Sequence, residues 1–169
     1  MTKLDLGSKL GLPRTLKEEE RTGNHWVGTY GDMAVLFLYN RAATDSRHVK
    51  VTAGVVQRLS SKLGRPCLFL VVLRGEIGRP PDVAVRSAVR ESLSKSNGVV
   101  SRVAITVLGD GFGPSIHRGV ITGMHALIGS KVALTVHPTI TEGLAKLQDA
   151  KSASFAPLLQ ALEKLAEPT

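Results

Sequence analysis

The sequence predicts an α/β protein, and three observations carry that prediction. The runs Cys67 to Leu73 and Val103 to Leu108 are apolar without interruption, as expected of strands covered by helices on both faces rather than half-solvated ones. Each run leads into a glycine-marked loop and then an amphipathic segment. Repeated strand and helix units imply a mostly parallel sheet with right-handed crossovers.

The elements follow in order. Residues 1–24 mix Gly, Pro and Lys with the charge run Lys17-Glu18-Glu19-Glu20-Arg21, and no apolar period persists through them, so a flexible or loosely docked tail is expected. Trp26 to Tyr30 and Met33 to Tyr39 read as two strands joined by a Gly31-Asp32 turn. A helix capped at Thr44 or Asp45 carries Val49, Ala53, Val56, Leu59 and Leu63 on one stripe before Gly64-Arg65-Pro66 ends it. After the strand Cys67 to Leu73, a helix opened by Asp82 buries Val85, Ala88, Val89 and Leu93 and closes at Asn97-Gly98. The strand ending at Leu108 gives way to Gly109-Asp110-Gly111-Phe112-Gly113-Pro114 and a helix with Ile116, Val120, Met124, Leu127 and Ile128 inward. Lys131 to Val136 is a further strand, Thr139 and Glu142 have capping-box spacing, and Ile140, Leu144 and Leu147 form a stripe. Phe155, Leu158, Leu159, Leu162 and Leu165 make a last amphipathic helix. The expected order is β-β-α-β-α-β-α-β-α with an antiparallel hairpin at its start and an extra C-terminal helix. It divides the chain into a tail (1–24), an α/β domain (25–150) and the terminal helix (151–169).

Composition narrows the function classes. No apolar stretch approaches the roughly 20 residues of a membrane span, the amino terminus lacks a secretory apolar segment, and Cys67 is the only cysteine. A cytoplasmic, disulfide-free protein is expected, with Cys67 explained by packing. Net charge is +8, and the excess belongs to the middle of the chain, where residues 25–141 carry 14 basic against 6 acidic side chains. A basic core favours an anionic partner. Nucleic acid is the less favoured choice, because aromatic content is 4% and Trp26, Tyr30, Phe37, Tyr39 and Phe69 fall in strand patterns away from the arginines.

Between Met33 and Leu147 the chain resembles the anti-sigma-factor antagonist (STAS) domains, in particular their diverse bacterial SpoIIAA-like group. The features that carry this are an opening strand, a helix beginning at an Asp, the two apolar strands with their loop-helix connections, the stretch Ala126 to Val132, and the ending Thr139-Ile140-Thr141-Glu142-Gly143-Leu144-Ala145-Lys146-Leu147. The resemblance implies a non-enzymatic regulatory or binding module in signalling, working through protein–protein interaction. Classical members carry a phosphorylated Ser or Thr in the loop after the strand matching Cys67 to Leu73. Here Arg74-Gly75-Glu76-Ile77-Gly78-Arg79-Pro80-Pro81-Asp82 has no hydroxyl residue, so the phosphoswitch is not expected. Glu76 is either a stand-in for that charge or a solvated loop residue.

Ligands of open α/β sheets gather at the carboxyl ends of the strands, which selects the loops after the two apolar runs. The candidate binding residues are Arg74, Glu76 and Arg79 in the first loop, Arg86 and Arg90 one turn apart on the following helix, and Asp110, Ser115, His117 and Arg118 in and after the second. They fit a protein partner or a small anionic ligand. A rival reading makes Asp110, Ser115 and His117 a hydrolase site for a phosphorylated or acyl substrate. However, Ser115 and His117 stand two apart on one helix and no Gly-x-Ser-x-Gly elbow exists, so no catalytic residue is assigned. No metal or cofactor is expected: His117 and His125 lack the His-Glu-x-x-His arrangement, and His25, His48 and His137 are isolated in sequence. Gly119 and Gly123 are expected to let their helix lie close to the sheet. The terminal helix either caps the domain or pairs with a second copy into a homo-oligomer.

Overall fold

The computed structural model describes residues 15–39, 45–74, 82–109, 114–116, 118–119, 121–123, 132–148 and 155–166. Its strands are β1 (Leu16–Arg21), β2 (His25–Tyr30), β3 (Met33–Leu38), β4 (Cys67–Leu73), β5 (Val100–Val107) and β6 (Ala133–His137). They lie side by side in chain order in one sheet. β1, β2 and β3 form an antiparallel meander, and β3 to β6 are parallel. The helices are α1 (Ser46–Leu63), α2 (Val83–Lys95), α3 (helical at 114–116, 118–119 and 121–123), α4 (Ile140–Leu147) and α5 (Ala156–Ala166). This is the α/β class expected from the sequence.

Strand order dictates which face each helix takes. Parallel crossovers of one hand that always step to the next strand on the same side put their helices on a single face. Accordingly, Val56 and Leu59 of α1 pack with Ala34, Cys67 and Val103, and Ile121 of α3 packs with Leu73 and Val107. β6 ends the parallel run, and the chain then crosses to the other face, where α4 and α5 cover Met33, Val35, Phe37, Leu70, Val72 and Ala104. β4 is apolar on both sides for this reason: Leu70 and Val72 meet α4 and α5, while Val71 and Leu73 meet the α3 side. Burying large apolar side chains on both faces contributes about 1.5–3 kcal/mol for each one fully buried.

The Gly31 turn occurs as expected, with Gly31 at φ 59°, a left-handed conformation that glycine adopts without a Cβ clash. Leu16–Arg21, expected within the tail, instead forms the edge strand β1, with a bulge between Glu18 and Glu20. Its charge run hid it, because an edge strand facing water is protected from foreign pairing by charges rather than marked by apolar alternation. The charges are used locally: Lys17 pairs with Glu19 at 2.6 Å, Arg21 with Glu18 at 2.8 Å, and Trp26 Nε1 donates to Glu18 Oε2 at 2.8 Å. That last bond, followed by the Arg21 guanidinium, holds the Glu18 carboxyl below its ordinary pKa.

The helices correct the expected faces in two places. α1 buries His48, Thr52, Val55, Val56 and Leu59, so its inward stripe contains two polar residues that the apolar period passed over. Ile116, expected inward on α3, is 46% exposed, and Ile121 makes the core contact instead. Gly119 and Gly123 do not lie against the sheet, because a Cβ at either would meet nothing within 4 Å. Val120, Met124, Leu127 and Ile128 lie outside the described residues. In α5, Phe155, Leu158 and Leu162 are buried in the same core as Phe37 and Leu147. The stripe that suggested a second copy is thus covered by the chain's own sheet. Among the described residues, no helix is long and apolar enough to cross a membrane.

Candidate functional site

The carboxyl ends of β3, β4 and β5 form one rim. Leu38 pairs with Leu73 and Leu73 with Val107 in parallel register, and the exits stay level: Arg74 N–H donates to Leu38 O and Leu108 N–H to Leu73 O, both at 2.9 Å. The segments starting at Arg74 and Gly109 therefore leave the sheet on the same edge. Gly109 has φ 110°, a conformation other residues rarely hold.

Three of the helices that return from the carboxyl edge, α1, α2 and α4, start with a side-chain cap. Asp45 Oδ1 accepts from His48 N–H at 2.9 Å, Asp82 Oδ1 from Val85 N–H at 2.8 Å, and Thr139 Oγ1 from Glu142 N–H at 3.2 Å. Caps of this kind contribute about 1 kcal/mol each. The Thr139 hydroxyl also donates to Glu142 Oε1 at 3.2 Å, a side-chain pair in place of the backbone N–H to carboxylate bond that would complete the capping box expected from the sequence.

Of the sequence-selected residues, Arg74 stands at the end of β4 on this rim, and Ser115 and Arg118 meet beside the end of β5. The Arg118 side chain folds back onto the strand end: Nη1 donates to Val107 O at 3.2 Å and Nη2 to Ser115 Oγ at 3.0 Å. Arg86 and Arg90 lie on the exposed side of α2, away from the inward Val85 and Ala88. Among the described residues, Arg86, Arg90 and Arg118 enter no ion pair. Glu76, Arg79, Asp110 and His117 lie outside the described residues. The first turns of the same two helices carry apolar side chains that water reaches: Val83, the first residue of α2, is 71% exposed, and Ile116 is in the first turn of α3.

Sequence reasoning missed a second group on the same rim. β2 runs antiparallel to β3, so its first residue, His25, sits opposite Leu38, and the first turn of α1 brings His48 over it. The two rings are buried, with centroids 4.1 Å apart and planes tilted by 56°. His48 takes the place of the usual Glu in a capping box, its Nδ1 accepting the Asp45 N–H at 3.2 Å. Its position three residues after Asp45 is the one signal in the sequence that could have found it. Burial, then the His48 ring, pushes the His25 pKa below its ordinary value, against the pull of Glu20 and Asp45. Among the described residues, no three metal-ligating side chains stand close enough to hold an ion.

Two further titratable groups are buried. The Cys67 thiol is buried at the opposite edge and burial raises its pKa to about 11, which fits packing. His137 ends β6 with its pKa lowered by burial, and Thr106 Oγ1 beside it donates to Thr139 O at 3.3 Å. A groove of about 300 Å³ between β1 and α5, lined by Leu16, Trp26 and Leu165 among others, belongs to the opposite face from α1, α2 and α3.

No family model matches the chain, and no curated protein and no solved structure is significantly similar to it. What stands from the expected resemblance is the mixed six-strand α/β sheet with its N-terminal antiparallel hairpin.

Proposed function

We propose that this chain is a non-enzymatic binding module of the anti-sigma-factor-antagonist type that docks a protein partner on the rim where β3, β4 and β5 end. One observation carries the reading: Val83 and Ile116, on the first turns of two helices that start from the same rim, stay exposed on elements that also carry Arg86, Arg90 and Arg118, which enter no ion pair among the described residues. Large apolar side chains left in water within a charged surround fit an interface core and its polar rim. The partner that fits is a protein surface with apolar side chains among Asp and Glu, steered by Arg86, Arg90 and Arg118. A small anionic ligand is the second reading, favoured by Arg118 at the end of β5.

In the hydrolase alternative Ser115 would need a base other than Arg118, whose guanidinium donates to its Oγ at 3.0 Å. Arginine stays protonated and cannot serve as the base that activates a hydroxyl.

Photo-crosslinking in the host tests the proposal. A photoreactive phenylalanine placed at Val83 or at Ile116 should trap the same protein, and one at Ser61, exposed near the far end of α1, should trap none. Arg86→Glu with Arg90→Glu should reduce the adduct at least tenfold. Different adducts at Val83 and Ile116, or equal trapping at Ser61, would contradict the reading.

A further inference from the structure

The buried histidine pair joins three elements at the rim. His25 opens β2, His48 lies in the first turn of α1, and Glu20 belongs to β1. The hydrogen bonds assign the protons. Thr22 Oγ1 already accepts the amide hydrogens of Asn24 and His25, each at 3.2 Å, so its own proton goes to His25 Nδ1 at 2.8 Å. The His25 proton is then on Nε2, 3.4 Å from Glu20 Oε1. Both of these atoms are buried, and neither has a hydrogen-bond partner among the described residues. His48 Nδ1 also acts as an acceptor, from Asp45 N–H. Both rings are thus used in their neutral form.

Adding protons undoes this arrangement. A proton on His48 Nδ1 removes the acceptor of the Asp45 amide and opens half of the capping box. A proton on His25 Nδ1 displaces the Thr22 hydroxyl. With both rings charged, two cations face each other at 4.1 Å in a buried site, where like charges repel strongly. The other charged groups facing the pair are Glu20 from β1 and Asp45 and Arg47 from α1, with Arg47 Nη2 3.9 Å from Glu20 Oε1. β3 contributes the uncharged Leu38. The two carboxylates compensate one added proton, and Arg47 opposes a second.

We propose that His25 and His48 form an acid-sensitive latch, which when neutral fastens the first turn of α1 over the start of β2 and when protonated releases it at the rim. The latch is independent of what binds there, and histidine is the side chain suited to it near neutral pH.

Hydrogen exchange on the full chain between pH 7.5 and 5.0, corrected for the intrinsic pH dependence of exchange, tests this. In the wild type, the peptide over 46–52 should lose protection at least tenfold below pH 6, while β4 keeps its own. His48→Gln retains a capping-box side chain that does not titrate and should keep the neutral-pH protection with less than a third of the acid loss. Wild-type protection that persists to pH 5.0, or an equal acid loss in His48→Gln, would overturn the latch.

Discussion

Thr106 Oγ1 lies only 2.6 Å from where a Cβ on Gly143 would stand, so α4 rests on β5 through a glycine that admits the threonine hydroxyl. In an exposed helix, Gly→Ala gains up to about 1 kcal/mol from propensity. Here the added methyl meets a buried β-branched side chain whose hydroxyl is engaged with Thr139 O. Gly143→Ala should therefore destabilise the protein by about 1–3 kcal/mol, the usual cost of overpacking. In chemical denaturation, Thr106→Ala should restore part of that loss in the double variant; strictly additive effects would remove the contact as the cause.

Leu158 of α5 is fully buried against the sheet core that holds Phe37 and Leu147. Truncating a leucine in such a site loses its transfer free energy and leaves a cavity, at a cost of about 2–5 kcal/mol. Leu158→Ala should show that loss at protein concentrations differing a hundredfold. A midpoint that shifts with concentration would point to an α5 buried between copies instead.

Acid should weaken the fold through two histidines. Burial pushes the pKa of His25 and of His137 below the ordinary 6.5, so folded and unfolded chains are both neutral there above that value. As pH falls through about 6.5 the unfolded chain takes up protons that the folded one resists, and stability declines until the lower folded pKa values are passed. The melting temperature should fall between pH 7 and 5, and His137→Gln should reduce the slope. A flat profile over that range would show that the two sites are not desolvated as described.

The parts of the fold legible in the sequence are those where one physical cause dominates. β4 reads as an unbroken apolar run because helices cover both of its faces, and Asp82 and Thr139 announce their helices because capping is a local hydrogen bond. β1 was hidden because its partners are the Trp26 indole and neighbouring charges rather than apolar side chains. His48 and Thr52 were passed over because an apolar period cannot flag a polar residue that is buried by bonding: the Thr52 hydroxyl donates to His48 O at 2.9 Å. The candidate site was legible as a place, the strand ends after Leu73 and Val107, since parallel pairing sends consecutive exits to one edge. The pairing of His25 with His48 needed the fold, because an antiparallel β2 is what carries residue 25 to that edge.

The central claim is that the rim at the ends of β3, β4 and β5 is the face that meets the partner. Hydrogen exchange of the free chain and of the complex with the crosslinked protein measures it directly. The account predicts added protection over residues 82–90 and 114–119, with none at the opposite edge around Arg65 and Ser96 to Val99. Protection confined to that opposite edge, or to the groove between β1 and α5, would contradict it.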